Sequence, residues 1–230
     1  GNTTIGYMTY GMLLCRLGDI NSGYKFGELS LQLLEKSNHK ELTPKMIVFF
    51  NTFIIHHKSP LKNSLAHLLE GYLIGLETGD INYACMAIFV YCYHSYFAGK
   101  KLARLDEEMT SFYKEVCNSN NKNSLDSQLI FHQTIKNLRG CSENPCIIEG
   151  GMYNATTILA SHLPIQDKNI HFDLHLNTLI LCYLFGEYDK ALENGVEAQK
   201  YLETVSGTYS FSVYFFYYSL AMLANAHKLS

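Results

Sequence analysis

The chain has 230 residues, of which 47% are hydrophobic and only 17% are charged. This length and apolar content allow a sizeable buried core. The net charge of −3, with Lys and Arg scattered along the chain, excludes the basic footprint of a nucleic-acid-binding domain. No signal peptide opens the sequence, and the longest nearly apolar stretch, Tyr209 to Ala226, is interrupted by hydroxyl side chains, so we expect no membrane partner.

The cysteines indicate a reducing compartment. There are seven of them, an odd number, and no two form a close CxxC pair. Most lie in apolar helical patterns, where a free Cys behaves as a small hydrophobic residue. We therefore predict a cytoplasmic protein with free thiols. The chain begins with Gly1-Asn2 rather than Met, which favours a piece excised from a larger protein.

Apolar residues recur at three-and-four spacing along most of the chain, and there are only four prolines. This periodicity predicts an all-α protein of about eleven or twelve helices. A polar break is expected at 118–123 and a long loop at 140–151. The predicted helices are Thr4–Leu17, Asn21–Lys36, Pro44–His57, Leu61–Glu77, Asn82–Ala98, Lys101–Cys117, Ser124–Leu138, Tyr153–His162, Lys168–Phe185, Tyr188–Glu203 and Ser210–Lys228.

One turn sequence recurs three times between predicted helices. Gly18-Asp19, Gly79-Asp80 and Gly186-Glu187 each follow an apolar helix and precede another. Glycine ends a helix readily in a left-handed conformation, and an acidic residue suits the positive end of the next helix. The pattern predicts three helical hairpins.

The residues around these turns fit the tetratricopeptide pattern of large and small side chains, most cleanly over 187–202. We therefore predict a right-handed superhelix of stacked helical hairpins (a tetratricopeptide-like α-solenoid), as a single helical-repeat domain over residues 1–230. A non-repeating helical bundle with three similar hairpins is the alternative. The small residues at expected close approaches are Gly23, Gly27 and Ser30 after the first turn, and Ala191, Gly195 and Ala198 after the third.

Several blocks of sequence resemble the helical segment of very large bacterial multi-sensor kinases of the cyanobacterial type. The blocks are Gly75–Asp80, Tyr91–His94 with Phe97, Glu143–Cys146 and Leu179–Asn194. In that family, a serine/threonine kinase-like domain and an AAA-type ATPase domain precede the repeats. GAF or PAS sensor modules and a histidine kinase follow them. The resemblance implies a linker scaffold between the ATPase module and the sensor and kinase modules, without catalytic residues of its own.

The aromatic cluster near residue 94 is the candidate interaction surface. Neighbouring positions spread around a helix, so some of these side chains are expected in the core and others in a groove that binds a partner segment. Packing between repeats is the competing interpretation. The cluster consists of Tyr91, Tyr93, His94, Tyr96 and Phe97.

Other potential sites are weaker. His171 and His175 have the i, i+4 spacing of a metal pair but no evident third ligand, and Cys141 and Cys146 lack the spacing of a zinc knuckle. No phosphate-binding loop, kinase signature or nucleophile elbow occurs in the sequence. We predict no catalytic residues, no metal and no cofactor.

The segment from Tyr209 onwards is more aromatic than a capping helix should be, because a terminal repeat normally presents a polar outer face. We expect it to expose an apolar stripe.

Two functions remain in view. The first is a non-catalytic scaffold whose partners are other modules of the parent protein, another signalling protein or a second copy of the chain. The alternative is a ligand-sensing regulatory module that binds a small effector between repeats.

Overall fold

The structure is a computed structural model that describes residues 2–37, 39–116, 122–150, 153–154 and 168–226. These residues are almost wholly α-helical, as predicted. Short 3₁₀ helices cover Lys40–Leu42, Ile55–His57, Leu61–Ser64 and Leu202–Val205. The α-helices are α1 (Asn2–Arg16), α2 (Ile20–Glu35), α3 (Thr43–Phe53), α4 (Leu65–Thr78), α5 (Ile81–Phe97), α6 (Leu102–Val116), α7 (Lys122–Leu138), α8 (Lys168–Leu184), α9 (Tyr188–Gln199) and α10 (Tyr209–Ala226).

The chain divides into two compact units. Unit 1 contains residues 1–101, 111–121 and 207–209, and unit 2 contains residues 102–110, 122–206 and 210–230. The division passes within α6 and at the start of α10. The prediction of one domain over residues 1–230 stays a prediction.

In unit 1, α1 and α2 form a hairpin, and so do α4 and α5, while α3 packs against both of them. Apolar side chains from α1, α2, α3 and the 3₁₀ turn that follows α3 make one core cluster. Its buried members are Met8, Cys15, Leu34, Met46, Phe50, Ile54 and Ile55.

In unit 2, α8 forms a hairpin with α9 and also packs on α7. Its buried core includes Phe131 of α7, Phe172 of α8 and Tyr214 of α10. The Tyr214 hydroxyl donates a hydrogen bond to the Gly195 carbonyl oxygen of α9 at 3.1 Å. This contact joins α10 to the α8/α9 hairpin.

The three predicted hairpin turns are confirmed. Gly18, Gly79 and Gly186 have φ angles of +94°, +77° and +84°, the left-handed conformation that only glycine adopts without strain. The acidic residues that follow begin the next helices. Asp19 accepts a hydrogen bond from the Ser22 amide, and Asp80 accepts one from the Tyr83 amide, at 3.1 and 3.2 Å.

The predicted small residues lie at close approaches between helices. A Cβ on Gly27 of α2 would lie 2.8 Å from Ile54 Cδ1 and 2.9 Å from Phe50 Cδ2. A Cβ on Gly195 of α9 would overlap the ring of Tyr218 on α10. In the α1/α2 and α8/α9 hairpins, therefore, a glycine of the second helix leaves room for a large side chain beyond that helix.

One predicted helix is wrong at its start. Tyr153–Asn154 forms a β-strand (β2) that pairs antiparallel with Glu149–Gly150 (β1). The sequence Gly150-Gly151 favours a chain reversal over a helix start, which accounts for the difference. The rest of that predicted helix, residues 155–162, lies outside the described residues.

Three other predicted helices are shorter than expected. The one predicted over Tyr188–Glu203 ends at Gln199. The helix predicted over Pro44–His57 ends at Phe53, because Ile54 leaves the helical region (φ −122°) and a 3₁₀ turn follows. The one predicted over Leu61–Glu77 opens with a 3₁₀ turn after the extended Pro60. No helix in the described part of the chain is long and apolar enough to cross a membrane.

Candidate functional site

The predicted aromatic cluster lies on the last two turns of α5, positioned by the α4/α5 hairpin. Tyr91 and His94 are buried, and Tyr93, Tyr96 and Phe97 are partly buried. None of the five is fully exposed, so most of their area already packs against the protein. As a surface that binds a partner, the cluster stays a prediction.

Tyr91 is held by a cation and by a second aromatic ring. The Lys100 ammonium donates a hydrogen bond to the Tyr91 hydroxyl at 2.7 Å and lies 4.9 Å from the centre of its ring. Phe112 meets the same ring edge to face, with 6.1 Å between the ring centres. These contacts fix Tyr91 as a packing residue between α5 and the end of α6.

His94 makes a buried hydrogen bond with Ser64, at 2.7 Å between Nδ1 and Oγ. The Ser64 hydroxyl donates its single hydrogen to the Leu61 carbonyl oxygen, also at 2.7 Å. We therefore assign the proton to Nδ1 of His94, which donates to Ser64. Burial lowers the pKa of His94 to about 4, so the ring is neutral at pH 7.

His56 lies beside this cluster, although it is not one of its five residues. Its ring lies 4.1 Å from that of His57 and meets the edge of Tyr209 at 6.1 Å, and Tyr209 in turn contacts Phe97. Burial, with smaller contributions from His57 and His94, lowers the pKa of His56 to about 3. Its Nδ1 atom is buried and makes no hydrogen bond within the described residues.

This cluster, bordered at Tyr91 by the Lys100 ammonium, therefore combines the neutral imidazole of His94, and that of the adjoining His56, with aromatic rings. Its chemistry suits packing, an apolar or weakly polar ligand, and a response to acid, because protonation of a buried imidazole disfavours the folded state.

The two histidines with i, i+4 spacing, for which we predict no metal, are engaged in packing. The His171 and His175 rings both stack on Tyr201, with 5.3 and 6.4 Å between ring centres, and His175 Nδ1 lies 3.0 Å from the Asn194 side-chain oxygen. Within the ranges that the structure describes, no group of three or more His, Cys, Asp or Glu side chains could hold a metal ion.

The two loop cysteines have different surroundings. Cys141 is exposed, whereas Cys146 is buried. Burial, and next the neighbouring Cys146, raise the pKa of Cys182 to about 12. Both loop cysteines and Cys182 are free thiols, and the Cys182 thiol stays protonated at neutral pH.

Sequence reasoning missed a buried polar cluster in unit 2. The Asp106 carboxylate of α6 accepts hydrogen bonds from His132 Nε2, at 2.6 Å, and from the Arg139 guanidinium. Burial and Lys136 lower the pKa of His132 to about 4, so the neutral ring donates Nε2–H to the carboxylate. A second, partly buried pair joins α7 to α8, where the Ser127 hydroxyl donates a hydrogen bond to Asp173 at 2.6 Å.

Burial raises the pKa of Asp173 to about 7, against the opposing effect of the Ser127 hydrogen bond. The signal for both pairs is weak in the sequence. The helix α7 is rich in polar residues, a composition typical of a solvent-exposed helix. In the structure, however, residues 126–135 are all buried. Only the tertiary packing shows that its polar side chains face other helices.

The expected apolar stripe on the last helix is confirmed. No charged residue occurs in Tyr209–Ala226. Four large apolar side chains of α10 are exposed, at 46–66% of their area: Phe215, Phe216, Met222 and Leu223.

No family model, no curated protein and no solved structure matches this chain. The resemblance to multi-sensor kinases stays a prediction.

Proposed function

We propose that this chain is a non-catalytic helical-repeat scaffold of a cytoplasmic multidomain signalling kinase. In this proposal, the hairpins stack as a right-handed, tetratricopeptide-like superhelix. The superhelix binds other modules of the parent protein and couples an ATPase module to sensor and kinase modules.

The observation that carries the proposal is a three-helix arrangement that occurs twice. In unit 1, α2 has Gly27 against side chains of α3, the helix that follows the α1/α2 hairpin. In unit 2, α9 has Gly195 against Tyr218 of α10, the helix that follows the α8/α9 hairpin. Repeated hairpins that each receive the next helix on a small residue are what a stacked repeat array requires.

A surface for a partner is available on α1. Tyr10 and Leu13 lie on one face of α1, and Leu17 directly follows the helix. All three are exposed, Leu13 at 49% and Leu17 at 74%. The Tyr10 ring packs edge to face on Phe26, which holds it in place. Contiguous exposed apolar side chains of this kind are typical of protein interaction sites.

The kinase context rests on the sequence blocks near residues 75–97 and 143–194. These sequence blocks suggest which partners the chain binds, whereas the helical architecture supports only the scaffold role. The two lines of support are independent, so the partner proposal can fail while the scaffold proposal stands, and the reverse.

The test is a pull-down of the purified chain with purified ATPase and sensor modules from the parent protein, with and without bound nucleotide. We expect capture that differs between the two nucleotide states, and we expect Leu13→Glu to reduce it. The matched control is Leu29→Glu, which changes an exposed leucine on α2. Absence of capture in both states contradicts the scaffold, and equal loss in both variants contradicts the assignment of the surface to α1.

One observation favours the alternative function, a module that binds a small effector. The buried Nδ1 of His56 makes no hydrogen bond in the described structure, and it lies among the aromatic rings near His94 and Tyr209. A small molecule that donates a hydrogen bond would satisfy this atom. A thermal-shift screen of metabolites tests the idea: a rise in Tm that His56→Phe abolishes supports the sensor, and no rise with any compound rejects it.

A further inference from the structure

The outward face of α10 is compatible with a second copy of itself. Its exposed positions are spaced by three or four residues and include the large apolar residues at 215, 216, 222 and 223. The remaining exposed positions carry the small residues Ser212, Ser219 and Ala226. This arrangement gives a single continuous stripe along the helix.

The stripe is symmetric about Ser219. In an antiparallel pair of α10 helices centred on this residue, Phe215 of one copy lies opposite Leu223 of the other, and Phe216 lies opposite Met222. Each aromatic ring therefore faces a flexible aliphatic side chain. At the centre, the small side chain of Ser219 lets the two helices approach closely, and a two-fold axis requires this kind of self-complementary surface.

Electrostatics also permits self-pairing. The helix has no Asp, Glu, Lys or Arg from Tyr209 to Ala226, so two copies bring no like charges together. Phe215 is restrained by neighbours on its own helix: its ring lies 5.0 Å from that of Phe211 and 5.1 Å from that of Tyr214. This restraint lowers the entropy that Phe215 loses on association.

The available area sets the strength of the pair. Four large side chains that are each about half exposed offer roughly 400 Å² of apolar surface per copy, taking about 200 Å² for each side chain. Two copies bury roughly 800 Å² in total, which is typical of weak and reversible complexes rather than permanent dimers.

We propose that this chain forms a weak, reversible homodimer in which α10 packs antiparallel on α10 of a second copy, about a two-fold axis at Ser219. The proposal goes beyond the scaffold function and does not depend on it. It uses α10, whereas the proposed partner surface lies on α1.

Sedimentation equilibrium over about 5–300 µM protein tests it, since weak dimers dissociate in this range. We expect wild type to move from monomer to dimer across the series and Leu223→Glu to stay monomeric. Leu73→Glu is the matched control, because Leu73 on α4 is exposed to a similar degree, 62% against 66% for Leu223. It should dimerise like wild type.

A charge exchange tests the predicted register. Phe216→Glu alone and Met222→Lys alone should each weaken the dimer at least about tenfold, because each places a charge against an apolar side chain. The double variant places each carboxylate opposite an ammonium of the other copy, and it should recover most of the affinity. All substituted positions are exposed, and far-ultraviolet circular dichroism checks that each variant remains folded.

Three results overturn the proposal: a wild-type monomer at all concentrations, a dimer that survives Leu223→Glu, or a double variant no tighter than the single ones. The scaffold is tested separately. Leu223→Glu should leave capture of the parent modules unchanged, and Leu13→Glu should leave the dimer unchanged, so failure of one proposal is distinguishable from failure of the other.

Discussion

At the scale of single residues, the close approach of Tyr218 to Gly195 requires a residue without a side chain at position 195. A Cβ at this position would overlap the ring of Tyr218, whereas a Cβ on Gly6 of α1 would meet no atom within 4 Å. We expect Gly195→Ala to lower the free energy of unfolding by about 1–3 kcal/mol through overpacking. Gly6→Ala should instead raise it by up to about 1 kcal/mol, because alanine is the better helix former.

Urea unfolding followed by circular dichroism measures both changes. If the two alanine substitutions stabilise the protein equally, the packing of α9 against α10 described above is wrong.

The buried imidazoles give stability a dependence on pH. The pKa of His94 is about 4 in the folded protein, below its ordinary value of 6.5. Between these values the unfolded chain binds a proton that the folded protein does not, so this residue destabilises the fold as pH falls from about 6.5 to about 4. The contribution of His94 is fully favourable only above this window.

We expect His94→Phe to reduce the slope of the free energy of unfolding against pH in this window. The reduction should correspond to at most one bound proton. The measurement is urea unfolding at half-unit steps from pH 7 to pH 4, with wild type and variant compared at each step. Asp173 has the opposite effect, because its raised pKa destabilises the folded state as pH increases towards 7. Both proteins contain Asp173, so subtracting the variant's free energy of unfolding from that of wild type removes its contribution. Parallel curves for the two proteins contradict the burial of His94.

At the scale of elements, the hairpin turns differ in how their second helix begins. The Asp80 side chain accepts a hydrogen bond from the Tyr83 amide, whereas Glu187 makes no side-chain capping bond to its own helix and pairs with Lys190 at 3.1 Å. We expect Asp80→Ala to cost about 1 kcal/mol and Glu187→Ala clearly less. Thermal unfolding of both variants against wild type gives the comparison, and an equal cost would show that capping does not distinguish the turns.

The elements themselves could be predicted from the sequence where local chemistry decides the structure. Gly18, Gly79 and Gly186 mark hairpin turns because a left-handed helix end favours glycine. The small residues Gly27 and Gly195 mark close approaches because the repeat pattern places small side chains where the next helix packs.

Elements whose structure depends on the rest of the chain could not be predicted. The polar side chains of α7 appear solvated until Asp106 and Asp173, which come from other helices, are placed against them. The strand at Tyr153–Asn154 depends on a partner strand at Glu149–Gly150 and has no apolar alternation of its own. The aromatic residues near His94 have a composition that suits a groove and a core equally, so only burial separates the two.

At the scale of the whole molecule, the two units share one local arrangement, a hairpin followed by a helix that packs on a glycine. The role that we propose for it is to relay the state of an ATPase module. Apolar side chains are exposed on both α1 and α10. We propose the first face for a partner and the second for another copy of the chain.

The most direct test of the scaffold role is a fluorescence-anisotropy titration of the labelled ATPase module of the parent protein with this chain, in nucleotide-loaded and nucleotide-free forms. We expect saturable binding whose Kd differs by at least about fivefold between the two forms, the lower end of typical allosteric coupling. Equal affinities would contradict the proposal that the chain relays the nucleotide state of the ATPase module. Absence of binding up to about 100 µM would contradict the scaffold role itself.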